Sequence, residues 1–321
     1  MQLKFPEKNK KAGLCYAVTD DGLELPVIDI THPAFEVSVD ERQLDAQLQQ
    51  FLHDSHGPAF LRGLLFALMR RRSILMRGLI DADGTFLSGL NTYILKLGAD
   101  NLNKSYFGEI DRRIAGSPAG LFARLRLQDI SHLLADNVAS PLSANKKARL
   151  HLLNIGGGPA IDSINALIVL QKEHPDLLNG RQIFIHSLDP DNTGPTFGAG
   201  ALTALQAESG PLHGLDIDFD HRNYNWSNPE LLREHLRSLD GQSICAVSSE
   251  GALFEVTPND TSVAGSVTRA DQLGRMANRG SGAALQFRGL EAFSALALRA
   301  GWKVEKTMDR PLSHDVLMKK V

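Results

Sequence analysis

The stretch Leu152-Leu153-Asn154-Ile155-Gly156-Gly157-Gly158-Pro159-Ala160 decides the fold. An apolar run of strand character enters three glycines and leaves them as Ala160–Glu173, a segment with helical periodicity. Glycine lets backbone come close to a ligand or to another backbone, and the first turn of the following helix offers unpaired N–H groups. Downstream the pattern repeats. Leu150–Ile155, Gln182–Leu188, Leu215–Phe219 and Ser243–Val247 read as strands, with Val263–Val267 as a further candidate. Phe197–Ala207, Pro229–Leu239 and Gly289–Ala300 read as helices between and after them. Strand-helix alternation of this kind predicts an α/β, doubly wound, mostly parallel sheet covered on both faces. Trp302–Met308 and His314–Lys319 predict a closing hairpin, so one of these strands runs antiparallel.

Upstream the pattern is different. Leu14–Ala17 and Leu23–Ile30 flank Asp20-Asp21-Gly22 and predict a short β-hairpin. Residues 40–140 read as helices. Leu44, Leu48, Phe51 and Leu52 share one face. Leu61, Leu64, Leu65, Leu68 and Met69 form a stripe over Phe60–Met76, with Arg70, Arg71 and Arg72 on the solvated side. Gly89–Leu97 and Pro118–Asn137 are further helices, and Asp81–Gly84 is a turn. The polar run Pro141 to Lys147 suggests a boundary between a mainly helical N-terminal domain, residues 1–145, serving as a lid or dimerisation element, and an α/β domain, residues 146–321.

Composition narrows the function classes. A chain of 321 residues that is 43% hydrophobic and 22% charged can bury a large core. Its net charge of -3 gives no bulk attraction to nucleic acid. The charge is uneven, with 5 Lys/Arg against 10 Asp/Glu in residues 1–59 and 14 against 7 in residues 60–149. Solvated helix faces account for the basic middle. Cys15 and Cys245 form neither a disulfide framework nor a zinc spacing. The most apolar stretch, Ala59–Met69, is too short to span a bilayer. The expectation is a cytoplasmic protein with no membrane or nucleic-acid partner; no metal ligands stand out, which leaves metal dependence open, and the N-terminal helices offer a homodimer contact.

The ends of the expected strands carry the polar chemistry. Strand two ends at Asp189-Pro190-Asp191, where an acid can accept hydrogen bonds from ribose hydroxyls. After strand three come Asp218, Asp220, His221, Asn223, Tyr224 and Trp226, which offer hydrogen bonds and stacking to a purine. After strand four stands Ser248-Ser249-Glu250-Gly251. A dinucleotide fingerprint requires a third small residue where this chain has Ile161, and Pro159 removes a donor from the helix start. Both points weigh against NAD.

This constellation resembles the class I S-adenosyl-L-methionine (SAM)-dependent methyltransferase family over residues 145–321. The resemblance implies a Rossmann-like fold and SAM as cofactor. It implies that Gly156, Gly157 and Gly158 line the methionine part, that Asp189 rather than Asp191 holds the ribose, and that Asp220 or Asn223 touches the adenine beside Tyr224 or Trp226. Ser248 then lies near the methyl-transfer end. The family often has an acid near the start of its glycine motif, where this chain has Asn154.

Methyl transfer is an in-line displacement, so the enzyme aligns the acceptor and excludes water. A hydroxyl or amine acceptor also calls for a base. Glu250 and His221 are the candidates; Glu250 equally suits the cofactor's amino group, and His221 equally suits a solvated turn. The Asn/Asp-Pro-Pro-aromatic signature of many enzymes that methylate nucleic-acid or protein amines is absent after strand four, which favours a small-molecule acceptor. Three other readings stay open: a SAM-dependent aminocarboxypropyl transferase of nicotianamine-synthase-like type, an NAD(P)-dependent oxidoreductase, and a non-enzymatic interaction module.

Overall fold

A computed structural model of the chain describes residues 4–37, 42, 46, 72–81, 87–225, 229–239, 241–249, 290–299, 301–310 and 313–321. The helix expected near residue 44, most of Phe60–Met76, the Arg70–Arg71 pair, the strand Val263–Val267, and Trp226, Glu250 and Gly251 lie outside these residues.

The central sheet is parallel. Its strands are β3 (Leu150–Ile155), β4 (Gln182–Leu188), β5 (Asp216–Arg222) and β6 (Ile244–Ser248), in the order β5-β4-β3-β6. The chain therefore builds outward from β3 through β4 to β5, then returns to the other side of β3. In open α/β sheets such a reversal marks the crevice where ligands bind, which by that rule falls at the carboxyl ends of β3 and β6. β3 is buried at every position, as expected of the innermost strand of a sheet covered on both faces. Leu150 and Leu152 face the main core with Ile183 and Ile185. The alternate residues Leu153, Ile155 and Leu188 join Tyr224 in a smaller cluster on the other face.

Helices cover the sheet. α4 (Pro118–Ala144) packs along α5 (Ile161–Glu173) and reaches β6, and α6 (Thr193–Gln206) follows β4. On the opposite face α7 (Pro229–Ser238) brings Leu232 and Leu239 onto the smaller cluster. α8 (Leu290–Arg299) precedes the antiparallel hairpin of β7 (Trp302–Arg310) and β8 (Ser313–Lys320). Upstream stand the hairpin β1 (Tyr16–Val18) and β2 (Glu24–Pro26), then α1 (Ile74–Asp81), α2 (Gly89–Leu97) and α3 (Glu109–Ala115).

Several boundaries differ from expectation for identifiable reasons. A helix begins at Ile74, where one was expected to end at Met76. The Asp111 carboxylate starts it by accepting from Ser73 Oγ at 2.6 Å and from Leu75 N at 2.9 Å. α4 runs through Pro141 to Ala144 instead of stopping at Asn137. A distant side chain caps its end. The Arg181 guanidinium, in a residue only 5% exposed, donates to the carbonyls of Leu142, Asn145, Ala148 and Leu177. A cation at a helix C-terminus also opposes the helix dipole. β5 extends past Phe219 to Arg222, because the ladder with β4 continues to Leu188↔Arg222.

The N-terminal segment is bonded into the same core. Leu25, Val27, Ile28, Tyr93 and Leu97 share one cluster with Leu152, Ile164 and Phe197. Asn165 of α5 accepts from Ile30 N at 2.8 Å and donates to Ile28 O at 3.0 Å. The Tyr93 hydroxyl donates to Pro26 O at 2.7 Å and accepts from Ile28 N at 3.0 Å. Tyr93 is 1% exposed, so Tyr93→Phe strands a donor and an acceptor away from water. Equilibrium urea unfolding should register a loss of about 1–3 kcal/mol; a change below ~0.5 kcal/mol would show that the hydroxyl contributes nothing to joining the two segments.

Candidate functional site

The glycine turn is held from below by the end of β4. Gly156 N–H donates to Leu188 O at 2.8 Å, and Ser187 Oγ donates to Gly158 O at 2.7 Å. The Asp189 carboxylate accepts from Gly158 N–H at 2.9 Å and from Asp191 N–H at 2.8 Å. Asp189 is 6% exposed, and burial pushes its carboxyl above the usual carboxylate range despite those two N–H groups. Asp191 is committed elsewhere: it accepts from Thr193 N and Thr193 Oγ1 and so starts α6.

The turn needs its glycines. Gly156 and Gly158 have φ of 65° and 52°, and Ala160 follows at 52°. A left-handed alanine costs roughly 1–2 kcal/mol, a strain that surrounding packing must hold in place. A Cβ built on Gly158 would lie 2.5 Å from Gly89 Cα, and one built on Gly194 would lie 2.9 Å from Gly158 Cα. A Cβ on Gly157 would collide with the Asn154 side chain. The N-termini of α2, α5 and α6 therefore converge on one point of backbone. Gly158 is used first for this close packing.

Asn154 and Asp162 answer for the acid missing from the motif start. Asn154, fully buried, donates through Nδ2 to Asp162 Oδ1, which also accepts from Ser163 N at 2.8 Å. Its Oδ1 has no partner. Its register partner in the ladder with β6 is Ser248, 8% exposed, whose Oγ is likewise without a partner, as is that of Ser249. Asp162 could have been noticed as the one formally charged residue between Leu150 and Gln171.

The residues expected after strand three fall on two faces, because β5 extends through them. His221 shares a face with Ser187, and its Nε2 donates to the Asp189 carbonyl at 2.9 Å. Asp220 points the other way. It meets Arg222 Nε at 2.8 Å and His186 Nδ1 at 3.5 Å. Burial alone would raise its carboxyl, but Arg222 and His186 outweigh this and hold it below the usual range. Asn223 is exposed and donates to Pro190 O at 3.4 Å. Tyr224 is 4% exposed, and its N–H donates to Asp189 O at 3.4 Å. Asp189, His221, Asn223 and Tyr224 are thus joined around the end of β4, whereas Asp220 is turned away from them.

Asp220 belongs instead to a histidine group that sequence reading missed. His151 stacks on Phe184 with centroids 4.7 Å apart, and its Nδ1 lies 3.0 Å from His186 Nε2. His235 of α7 meets the His186 ring edge-on at 4.7 Å. Burial pushes the His186 imidazole below its ordinary range. Burial, then Arg222 and His186, push His235 down to about 4. A cleft of about 250 Å³ runs beside them, lined by Leu188, Arg222, Tyr224, Leu232 and His235. Among the described residues no group of three or more His, Cys, Asp or Glu could hold a metal ion, and no helix is long and apolar enough to cross a membrane.

No protein-family model and no curated protein matches the chain. Solved structures give distant likenesses. LepI in complex with SAM is 17% identical, at a TM-score of 0.32 over 59% of this chain and 46% of that one. A LepI variant with S-adenosylhomocysteine and a substrate analogue is 16% identical, at 0.30 over 56% and 44%. The chain thus spans under half the length of both. A structure described as a pericyclic reaction enzyme is 16% identical, at 0.32 over 95% and 73%.

Proposed function

We propose that the chain is a SAM-dependent enzyme that transfers the cofactor's methyl group to a small-molecule acceptor. The observation that supports this is the polar floor of the crevice between β3 and β6. Asn154 Oδ1, Ser248 Oγ and Ser249 Oγ stand there without partners, beside a glycine turn, in a sheet of order β5-β4-β3-β6. Buried polar atoms are nearly always paired, so an orphaned set at a topological switch point fits a ligand with a polar end.

SAM would supply an electrophilic methyl carbon on a sulfonium. Asn154 and Ser248 would hold its amino-acid end. Asp189 would take the ribose with lone pairs beyond the two it gives to Gly158 and Asp191. Asn223 and Tyr224 would bound the base. His221 donates Nε2–H to the Asp189 carbonyl, which leaves Nδ1 of the neutral ring as a proton acceptor for a hydroxyl or amine. Residues 1–145 would select the acceptor.

The test is ligand-dependent melting. Millimolar SAM or S-adenosylhomocysteine should raise Tm by several degrees, since a ligand at a hundred times its Kd adds about 2.7 kcal/mol. Asp189→Ala should remove the shift, read against its own unliganded Tm. No shift with either ligand in the wild type would end the proposal. Turnover yielding methylthioadenosine would replace methyl by aminocarboxypropyl transfer.

A further inference from the structure

α7 rests on the sheet through a small contact. Leu232 and Leu239 pack on Leu153, Ile155, Leu188 and Tyr224, and His235 sits beside them at 5% exposure. Neither His235 Nδ1 nor Nε2 has a hydrogen-bond partner. A buried polar ring without partners lowers the stability of whatever seals it, so its presence under a helix calls for an explanation.

The groups packed against it decide what a proton would do there. From β4 comes His186, 4.7 Å away edge-on, with His151 of β3 behind it at 3.0 Å between ring nitrogens. From β5 come Asp220 and Arg222, and after them Tyr224; Glu234 lies on α7 itself. Asp220 is already engaged by Arg222 at 2.8 Å and by His186 at 3.5 Å. His186 can share its proton with a carboxylate. His235 cannot: its ring is sealed, faces the positive Arg222, and would repel a charged His186.

We propose that α7 is an acid-released latch: protonation of His235, which the closed packing cannot accommodate, uncouples the helix from the sheet and opens the cleft beside Leu188, Arg222 and Tyr224. The sign follows from linkage. The folded imidazole titrates below the ordinary histidine value, so the contact is at full strength above about pH 6.5 and weakens as pH falls towards 4. The latch adjoins Tyr224, which the proposed function sets beside the cofactor's base, so it is read on the protein without ligand.

Amide hydrogen exchange of the full chain between pH 7.5 and 5, corrected for the intrinsic pH dependence of exchange, tests it. Peptides covering α7 should lose protection by about 30-fold over this range, while α5 stays protected. His235→Phe keeps a ring in the space and should reduce the α7 change below threefold. A wild-type loss under tenfold, an equal loss in α5, or an undiminished response in His235→Phe would each overturn the proposal. If that variant does not fold, imidazole NMR of the wild type decides: a His235 midpoint below pH 6 supports the latch, and one at or above 6 overturns it.

Discussion

Gly158→Val is expected to cost about 2–5 kcal/mol of stability. Two penalties add. A β-branched residue at φ 52° is strained by roughly 1–2 kcal/mol. Its Cβ must also enter space 2.5 Å from Gly89 Cα, where the obstacle is backbone, and forced overpacking costs about 1–3 kcal/mol. Gly89→Ala makes the same collision from the other side without the dihedral strain, so it should lose only the second part. Gly200, exposed on α6 with nothing within 4 Å of an added Cβ, is the contrast. Gly200→Ala should stabilise by about 0.5–1 kcal/mol through helix propensity. Urea unfolding of the three variants checks this ranking. A Gly158→Val protein as stable as wild type would mean that the turn and α2 do not meet.

Arg181→Ala is the second large effect. One guanidinium donates to the carbonyls of Leu142, Asn145, Ala148 and Leu177, of which Asn145 O also accepts from Ala148 N–H at 3.3 Å. Withdrawing those donors should cost about 3–5 kcal/mol, since each buried orphan is worth roughly 1–3 kcal/mol and water recovers part. Arg181→Lys should recover less than half, because a single ammonium cannot fork towards four acceptors. A fall in Tm of about 4–7 °C for the alanine variant is the expected reading. A fall under 2 °C would mean that solvent caps α4 unaided.

These two residues also mark where the sequence was readable. Gly89–Leu97 was legible at both ends, because Ser88 accepts from Asn91 N as a helix start and Gly98 turns the chain at φ 74° as a stop. The parallel sheet was legible as alternation of strand and helix, but its order β5-β4-β3-β6 was not. The extra turn of α4 was not, because its cap comes from Arg181 and no local signal announces it. The reach of β5 was not either: the strand was expected to end at Phe219, and the charged run Asp220 to Arg222 joins it because β4 offers a ladder as far as Leu188. That extension split the expected adenine-side residues between two faces and sent Asp220 to the histidines. The glycines of the turn were visible, but their partners Gly89 and Gly194 lie in other elements. Likewise the meeting of His151, His186 and His235 depends on strand order and on the docking of α7, which no spacing encodes.

The contact between Gly89 and Gly158 bears on how such a molecule can be rebuilt by recombination. The ligand turn is shaped on one side by its own strand and on the other by a helix that precedes it by some seventy residues. Grafting a foreign N-terminal segment onto β3 would succeed only where the donor segment also brings a side-chain-free backbone to that point. At that point the two segments can change only together, whereas the faces of α1 to α3 turned away from the glycine turn carry no such constraint.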